Sequence, residues 1–89
     1  MDFPQEGSRR IVVNMHTRQD QPTPLAQVTL ISEHYRNERL VALLWECDNV
    51  GLANMQAELL WDAGYPARIV PDEVSERAFL QDLVESPAM

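Results

Sequence analysis

The sequence lacks the residues that several well-defined functional motifs require. It has one cysteine, Cys47, which excludes a disulfide framework within the chain. Its three glycines are isolated, so there is no glycine-rich loop of the kind that binds phosphate groups. No apolar stretch approaches the ~18 residues of a membrane-spanning helix. Without a disulfide, a small fold depends on its apolar core or on a partner.

The N-terminal region gives no sign of export. Met1 to Arg10 contains no apolar run, which predicts that the chain has no secretory signal. A lone free thiol is typical of proteins in a reducing compartment. We therefore expect a cytoplasmic protein. Its 89 residues predict a single domain, 1–89, in which residues 1–8 form a loose N-terminal arm.

Lysine is also absent, and acidic residues outnumber basic ones. Seven arginines stand against 14 acids, which gives a net charge of −7 at pH 7. Residues 1–45 hold five acids and five arginines, whereas residues 46–89 hold nine acids and two arginines. An acidic half repels phosphate backbones and attracts basic protein surfaces. We therefore expect a protein partner with a basic surface, and neither direct nucleic-acid binding nor membrane binding.

Hydrophobic periodicity predicts three strands in the neutral half. Side chains from Arg10 to Arg18 alternate between an apolar face and a more polar face, which is the two-residue period of a strand. Val28 to Tyr35 and Arg39 to Trp45 are predicted to form a hairpin, since Asn37 between them tolerates a left-handed backbone. The three strands are expected to pair in sequence order, as a meander. A helix over residues 24–37 is the alternative for the middle strand.

The acidic half has the period of helices. A helix is predicted from Asp48 to Gly64, which can adopt the positive φ of a helix terminus. Ala67 to Val70 is a short strand, and Pro71 opens a second helix that ends at Ser86-Pro87. The predicted buried stripe of the first helix is Leu52, Met55, Leu59 and Ala63, widened by Ala53, Ala57 and Leu60. That of the second is Phe79, Leu80, Leu83 and Val84.

These elements predict a small α+β fold in the order β-β-β-α-β-α. The sheet is expected to be mostly antiparallel, because its first three strands follow one another closely. Both helices are expected on one face of the sheet, in a two-layer sandwich.

Few residues in the chain suggest catalysis or metal binding. Cys47 is the single candidate thiol nucleophile, and it would need His16 or His34 within reach as a base. A free cysteine is more often a small buried hydrophobe, so we predict no catalytic residue. The two histidines with Cys47 and Asp48 lack the spacing of metal ligands. We therefore predict no metal and no cofactor.

The acidic half contains the predicted protein-binding residues. Trp61 lies beside Glu58 and Asp62 on the helical wheel and could form, with Met55 and Tyr65, an apolar patch rimmed by acids. The alternative is that Trp61 packs over the edge of the sheet. A second acidic group opens the second helix, where the helix dipole favours anions. The predicted protein-binding residues are Glu58, Trp61, Asp62, Tyr65, Asp72, Glu73 and Glu76.

The leading hypothesis is a non-enzymatic, acidic protein-interaction module that docks on a basic surface of a partner protein. It would act as a regulator, or as an inhibitor of the type that phages and mobile elements encode. One alternative is a small-ligand-binding or enzymatic domain that is completed by dimerisation. The other is a structural protein that self-assembles through an open strand edge. A homodimer belongs to both alternatives.

Overall fold

The computed structural model describes residues 7–85. The order of its elements is β-β-β-α-β-α, and the α+β class is as predicted. Most of the predicted N-terminal arm and the Ser86-Pro87 helix stop lie outside the described residues. The elements are β1 Arg9–Asn14, β2 Val28–Arg36, β3 Arg39–Cys47, α1 Val50–Asp62, β4 Ala67–Val70 and α2 Glu73–Glu85.

The first strand is shorter than its alternating pattern suggests. β1 ends at Asn14, whose side-chain oxygen accepts the backbone N–H of His16 at 2.8 Å. An asparagine side chain that binds the backbone two residues ahead turns the chain. Met15 still donates its N–H to Val41, but beyond it the chain leaves the sheet. The predicted extension to Arg18 is therefore wrong.

All strand pairs are antiparallel, in the order β2-β3-β1-β4. The predicted meander is wrong, because β1 pairs with β3 and β2 lies beyond β3. The two-residue turn between β2 and β3 makes these two strands neighbours. The connection between β1 and β2, residues 15–27, is long enough to cross the sheet, so β2 need not pair with β1. The nearly continuous apolar run of β3 then occupies a central position, where both faces of the strand are covered.

The hairpin between β2 and β3 is confirmed, and the alternative helix over residues 24–37 is not formed. Asn37 and Glu38 make the turn, with φ of 52° and 67°. Positive φ at both central residues is what a type I′ turn requires.

α1 begins and ends as the sequence indicates, but it buries only one flank of the predicted stripe, the one formed by Ala53, Ala57 and Leu60. Asn49 caps it, since its side-chain oxygen accepts the N–H of Leu52 at 2.9 Å, and Gly64 follows it with φ of 93°. Met55 and Leu59 of the predicted stripe are exposed. Small alanines let the helix lie close to the strands, and its buried residues are Ala53, Gln56, Ala57 and Leu60.

The two helices pack against opposite faces of the sheet. Ile11 and Val13 of β1 share one cluster with α1, whereas Val12 packs with the apolar residues of α2. Successive side chains of a strand point to opposite faces, so apolar runs in β1 and β3 leave two faces that need cover. The predicted placement of both helices on one face, in two layers, is thus corrected to three layers.

Candidate functional site

The side of α1 that faces away from the sheet combines apolar and acidic groups. We name this surface, formed by Met55, Glu58, Leu59, Trp61 and Asp62, the α1 outer face. Its three apolar side chains keep 56%, 49% and 53% of their surface exposed, and both carboxylates are exposed. Helix α1 contains no basic residue. The surface therefore unites large apolar side chains with two carboxylates on a helix that has no cation of its own.

Trp61 is both exposed and held at the sheet edge. Its indole N–H donates to the carbonyl oxygen of Ala67, the first residue of β4, at 3.0 Å. This bond fixes one edge of the ring while about half of its surface faces solvent. The two interpretations of the sequence, an exposed anchor and a side chain packed over the sheet edge, thus describe one arrangement. A tryptophan with a satisfied N–H and an open face is suited to binding.

Tyr65 does not belong to this surface. Its ring is 4% exposed, and its hydroxyl donates to the backbone oxygen and the carboxylate of Asp20 at 2.7 and 2.8 Å. The guanidinium of Arg18 lies over the ring, 4.3 Å from its centroid. Burial and the bond to Asp20 raise the pKa of Tyr65. The expectation that Tyr65 forms part of the exposed patch is therefore corrected, and exposed Leu59 takes part instead.

The acids at the start of α2 lie on a separate part of the molecule. Asp72 caps the helix, since its carboxylate accepts the N–H of Ser75 at 2.7 Å. One nitrogen of Arg10 donates to both carboxylate oxygens of Glu76 at 3.1 Å, and this pairing raises the pKa of Arg10. Glu73 is exposed in the first turn. Because α1 and α2 cover opposite faces, the seven predicted residues do not form one surface.

Cys47 and the histidines are kept apart. The thiol is fully buried in the cluster under α1, and burial raises its pKa to about 11, with a smaller contribution from Asp48. The ring of His16 bonds the carbonyl oxygen of Leu83 in α2 at 2.8 Å, and that of His34 bonds Ser32 at 2.9 Å. A buried, protonated thiol without an imidazole beside it is a poor nucleophile.

Other kinds of site find little support in the described structure. Within residues 7–85, no three histidine, cysteine or carboxylate residues lie together as a metal ion would need. Neither described helix is long and apolar enough to cross a membrane. An open groove of about 470 Å³ runs between α2 and β2, with His34, Arg77, Leu80 and Val84 in its lining.

Comparison with protein families, with curated proteins and with solved structures finds no match to this chain. A proposal about function therefore rests on the chemistry of the surfaces described above.

Proposed function

We propose that this protein is a non-enzymatic interaction module that docks through its α1 outer face on a basic surface of a partner protein. The observation that carries this proposal is the composition of that face. Met55, Leu59 and Trp61 are each about half exposed around Glu58 and Asp62, on a helix without a cation. Methionine and aromatic side chains are enriched in protein interfaces, and exposed apolar groups rimmed by polar ones mark such surfaces.

The charge of the face selects the chemistry of the partner. Among the ion pairs of residues 7–85, those of Arg10 and Arg18 involve acids outside α1. Neither Glu58 nor Asp62 takes part in these pairs, so both carboxylates are open to the cations of a partner. Arginine or lysine side chains of a partner would complement them, and an acidic or nucleic-acid surface would be repelled. Such rim charges act mainly on the association rate and on specificity.

The acids at the start of α2 lie outside the proposed docking surface. Asp72 and Glu76 already have intramolecular partners that explain their presence. Glu73 is exposed, but it lies on the helix that covers the opposite face of the sheet. We therefore place the centre of docking on Glu58, Trp61 and Asp62, with Met55 and Leu59 beside them.

A charge-reversal experiment tests the proposal. The variant Glu58→Arg/Asp62→Arg and the control Glu73→Arg/Asp82→Arg change the net charge equally, at exposed acids of α1 and of α2. The wild type and both variants are immobilised on a resin, and each is incubated with an extract of the source cells at low and moderate salt. We expect a retained protein that the α1 variant loses and the α2 control keeps. With that partner purified, the α1 variant should bind about tenfold more weakly or worse.

Two results would contradict the proposal. The first is that no protein is retained at either salt concentration. The second is an equal loss of binding in both charge-reversal variants, which would indicate a response to net charge alone. Circular dichroism of each variant checks that the fold is intact.

A further inference from the structure

Trp61 presents a fixed aromatic surface on the α1 outer face. Its indole N–H already donates to the carbonyl oxygen of Ala67 at 3.0 Å, so the ring needs no hydrogen-bond acceptor from a partner. The residue still keeps 53% of its surface exposed. The face of an aromatic ring carries negative potential, and tryptophan attracts cations more strongly than tyrosine or phenylalanine does. The open part of this ring is therefore suited to a cation as well as to an apolar group.

The helical period places two exposed carboxylates next to this ring. Glu58 precedes Trp61 by three residues and precedes Asp62 by four, and residues at these spacings are neighbours on the surface of a helix. Like charges four residues apart repel each other, so this pair destabilises α1. No residue of the helix carries a positive charge to offset the repulsion. A cation of a partner beside Glu58 would both relieve the repulsion and lie within reach of the indole.

The described part of the chain contains an example of such a cation site. The guanidinium of Arg18 lies 4.3 Å from the centroid of the Tyr65 ring and binds the carboxylate of Asp20 at 2.7 Å. Arg18 also donates to the carbonyl oxygen of Ala63, next to the end of α1, so its donors are already in use. Within residues 7–85, neither cation–ring contact involves Trp61. The α1 outer face thus offers a ring and carboxylates like those around Arg18, but no guanidinium of the chain lies over the ring.

We propose that the α1 outer face receives an arginine side chain of the partner, whose guanidinium stacks on the indole of Trp61 and donates to the carboxylate of Glu58. This inference rests on the docking function proposed above and names the residue type that the face recognises. Arginine suits the site better than lysine, because its planar group stacks on an aromatic ring while its N–H groups bind carboxylates in the same plane. It is also more weakly hydrated than an ammonium group. Asp62 provides a second acceptor beside Glu58.

A titration with short peptides, followed by NMR of the isotope-labelled protein, tests this site. The probe is the peptide Gly-Arg-Gly-Arg-Gly, blocked at both ends, and the matched peptide Gly-Lys-Gly-Lys-Gly carries the same charge without a guanidinium. We expect the arginine peptide to shift the indole N–H of Trp61 and the amides of α1, with a dissociation constant in about the millimolar range. It should bind about threefold more tightly than the lysine peptide. The indole of Trp45, which is 2% exposed, should not shift.

Two pairs of variants separate the role of the ring from that of the charge. Trp61→Leu keeps an apolar side chain but removes the ring, so it should lose the preference for arginine, whereas Met55→Leu on the same face should keep it. Glu58→Gln should weaken the binding of both peptides about threefold or more. Glu73→Gln removes the same charge from an exposed position of α2 and should leave binding unchanged at about 0.15 M salt, where screening is strong beyond about 8 Å.

Three results would overturn the arginine site. They are equal binding of the two peptides by the wild type, a preference for arginine that survives Trp61→Leu, and no shift at Trp61 up to about 20 mM peptide. Equal effects of Glu58→Gln and Glu73→Gln would assign the binding to net charge and also contradict the site. The docking function fails on a different result, the capture of no partner from the cell extract. A partner held by the α1 outer face through lysine would preserve the docking function while the arginine site fails.

Discussion

Gln56 shows how one polar residue can organise a region of this fold. It is 1% exposed, and its side-chain oxygen accepts the backbone N–H of Leu25 at 2.7 Å. This bond joins α1 to the crossing segment, residues 15–27, near the end that leads into β2, while Tyr65 bonds Asp20 near the middle of that segment. A buried amide is tolerated because it satisfies a backbone donor that would otherwise lack a partner.

We predict that Gln56→Ala lowers the free energy of unfolding by about 2 to 4 kcal/mol, since it opens a cavity and leaves the Leu25 N–H without its acceptor. Urea denaturation measures the change. Gln81→Ala, at an exposed position of α2, is the control and should stay within about 0.5 kcal/mol of the wild type. Similar losses in the two variants would mean that Gln56 does not hold the crossing segment.

At the scale of elements, the β2–β3 hairpin combines a favourable and an unfavourable residue in its turn. Asn37 tolerates its φ of 52°, but Glu38 has a φ of 67°, which costs energy for a residue with a long side chain. The apolar strand β3 overrides this cost, because its burial fixes the register of the pair. The hairpin therefore forms through packing in spite of its turn.

Glu38→Gly should raise the free energy of unfolding by about 0.5 to 1 kcal/mol, because asparagine followed by glycine suits a type I′ turn. Thermal and urea denaturation both report the change. Glu38→Ala removes the same carboxylate without freeing the backbone, so it should bring no gain. Equal stabilisation by alanine would assign the effect to charge and contradict the backbone explanation.

At the scale of the whole molecule, the two helical layers differ in how many buried side chains they cover. α1 and the crossing segment cover a large cluster that includes Ile11, Leu43 and Trp45. α2 covers a smaller cluster and depends more on contacts at its margins, such as the pairing of Glu76 with Arg10. Regions with few fully buried side chains open at lower free energy than the rest of a protein. α2 is thus the layer expected to detach first.

Hydrogen exchange in dilute solution should find less protection in α2 than in α1 or β3. Arg10→Ala should speed exchange in α2 about two- to fivefold, as expected for the loss of roughly 0.5 to 1 kcal/mol from a partly exposed ion pair, and should leave α1 unchanged. The neighbouring variant Arg9→Ala is the control and should alter neither helix. Equal protection of the two helices would contradict this difference.

The sequence by itself determined the local structure of this protein and the distribution of its charge. Alternation in β2, the apolar run of β3, the caps Asn49 and Gly64, and the acids of residues 46–89 are local features, so a short window of sequence contains them. The helical period also placed Trp61 beside Glu58 and Asp62, but it left open whether the ring is exposed or packs over the sheet edge.

The tertiary structure alone decided strand order, the faces that the helices cover, and the side that α1 buries. β1 pairs with β3, Tyr65 is buried against Asp20, and Met55 is exposed because contacts between distant segments compete for the same surface. Periodicity defines an apolar stripe but does not say which flank of it meets the sheet when alanines permit close approach at one side. The position of β2 at an edge of the sheet also depends on strand order, and no local pattern contains that information.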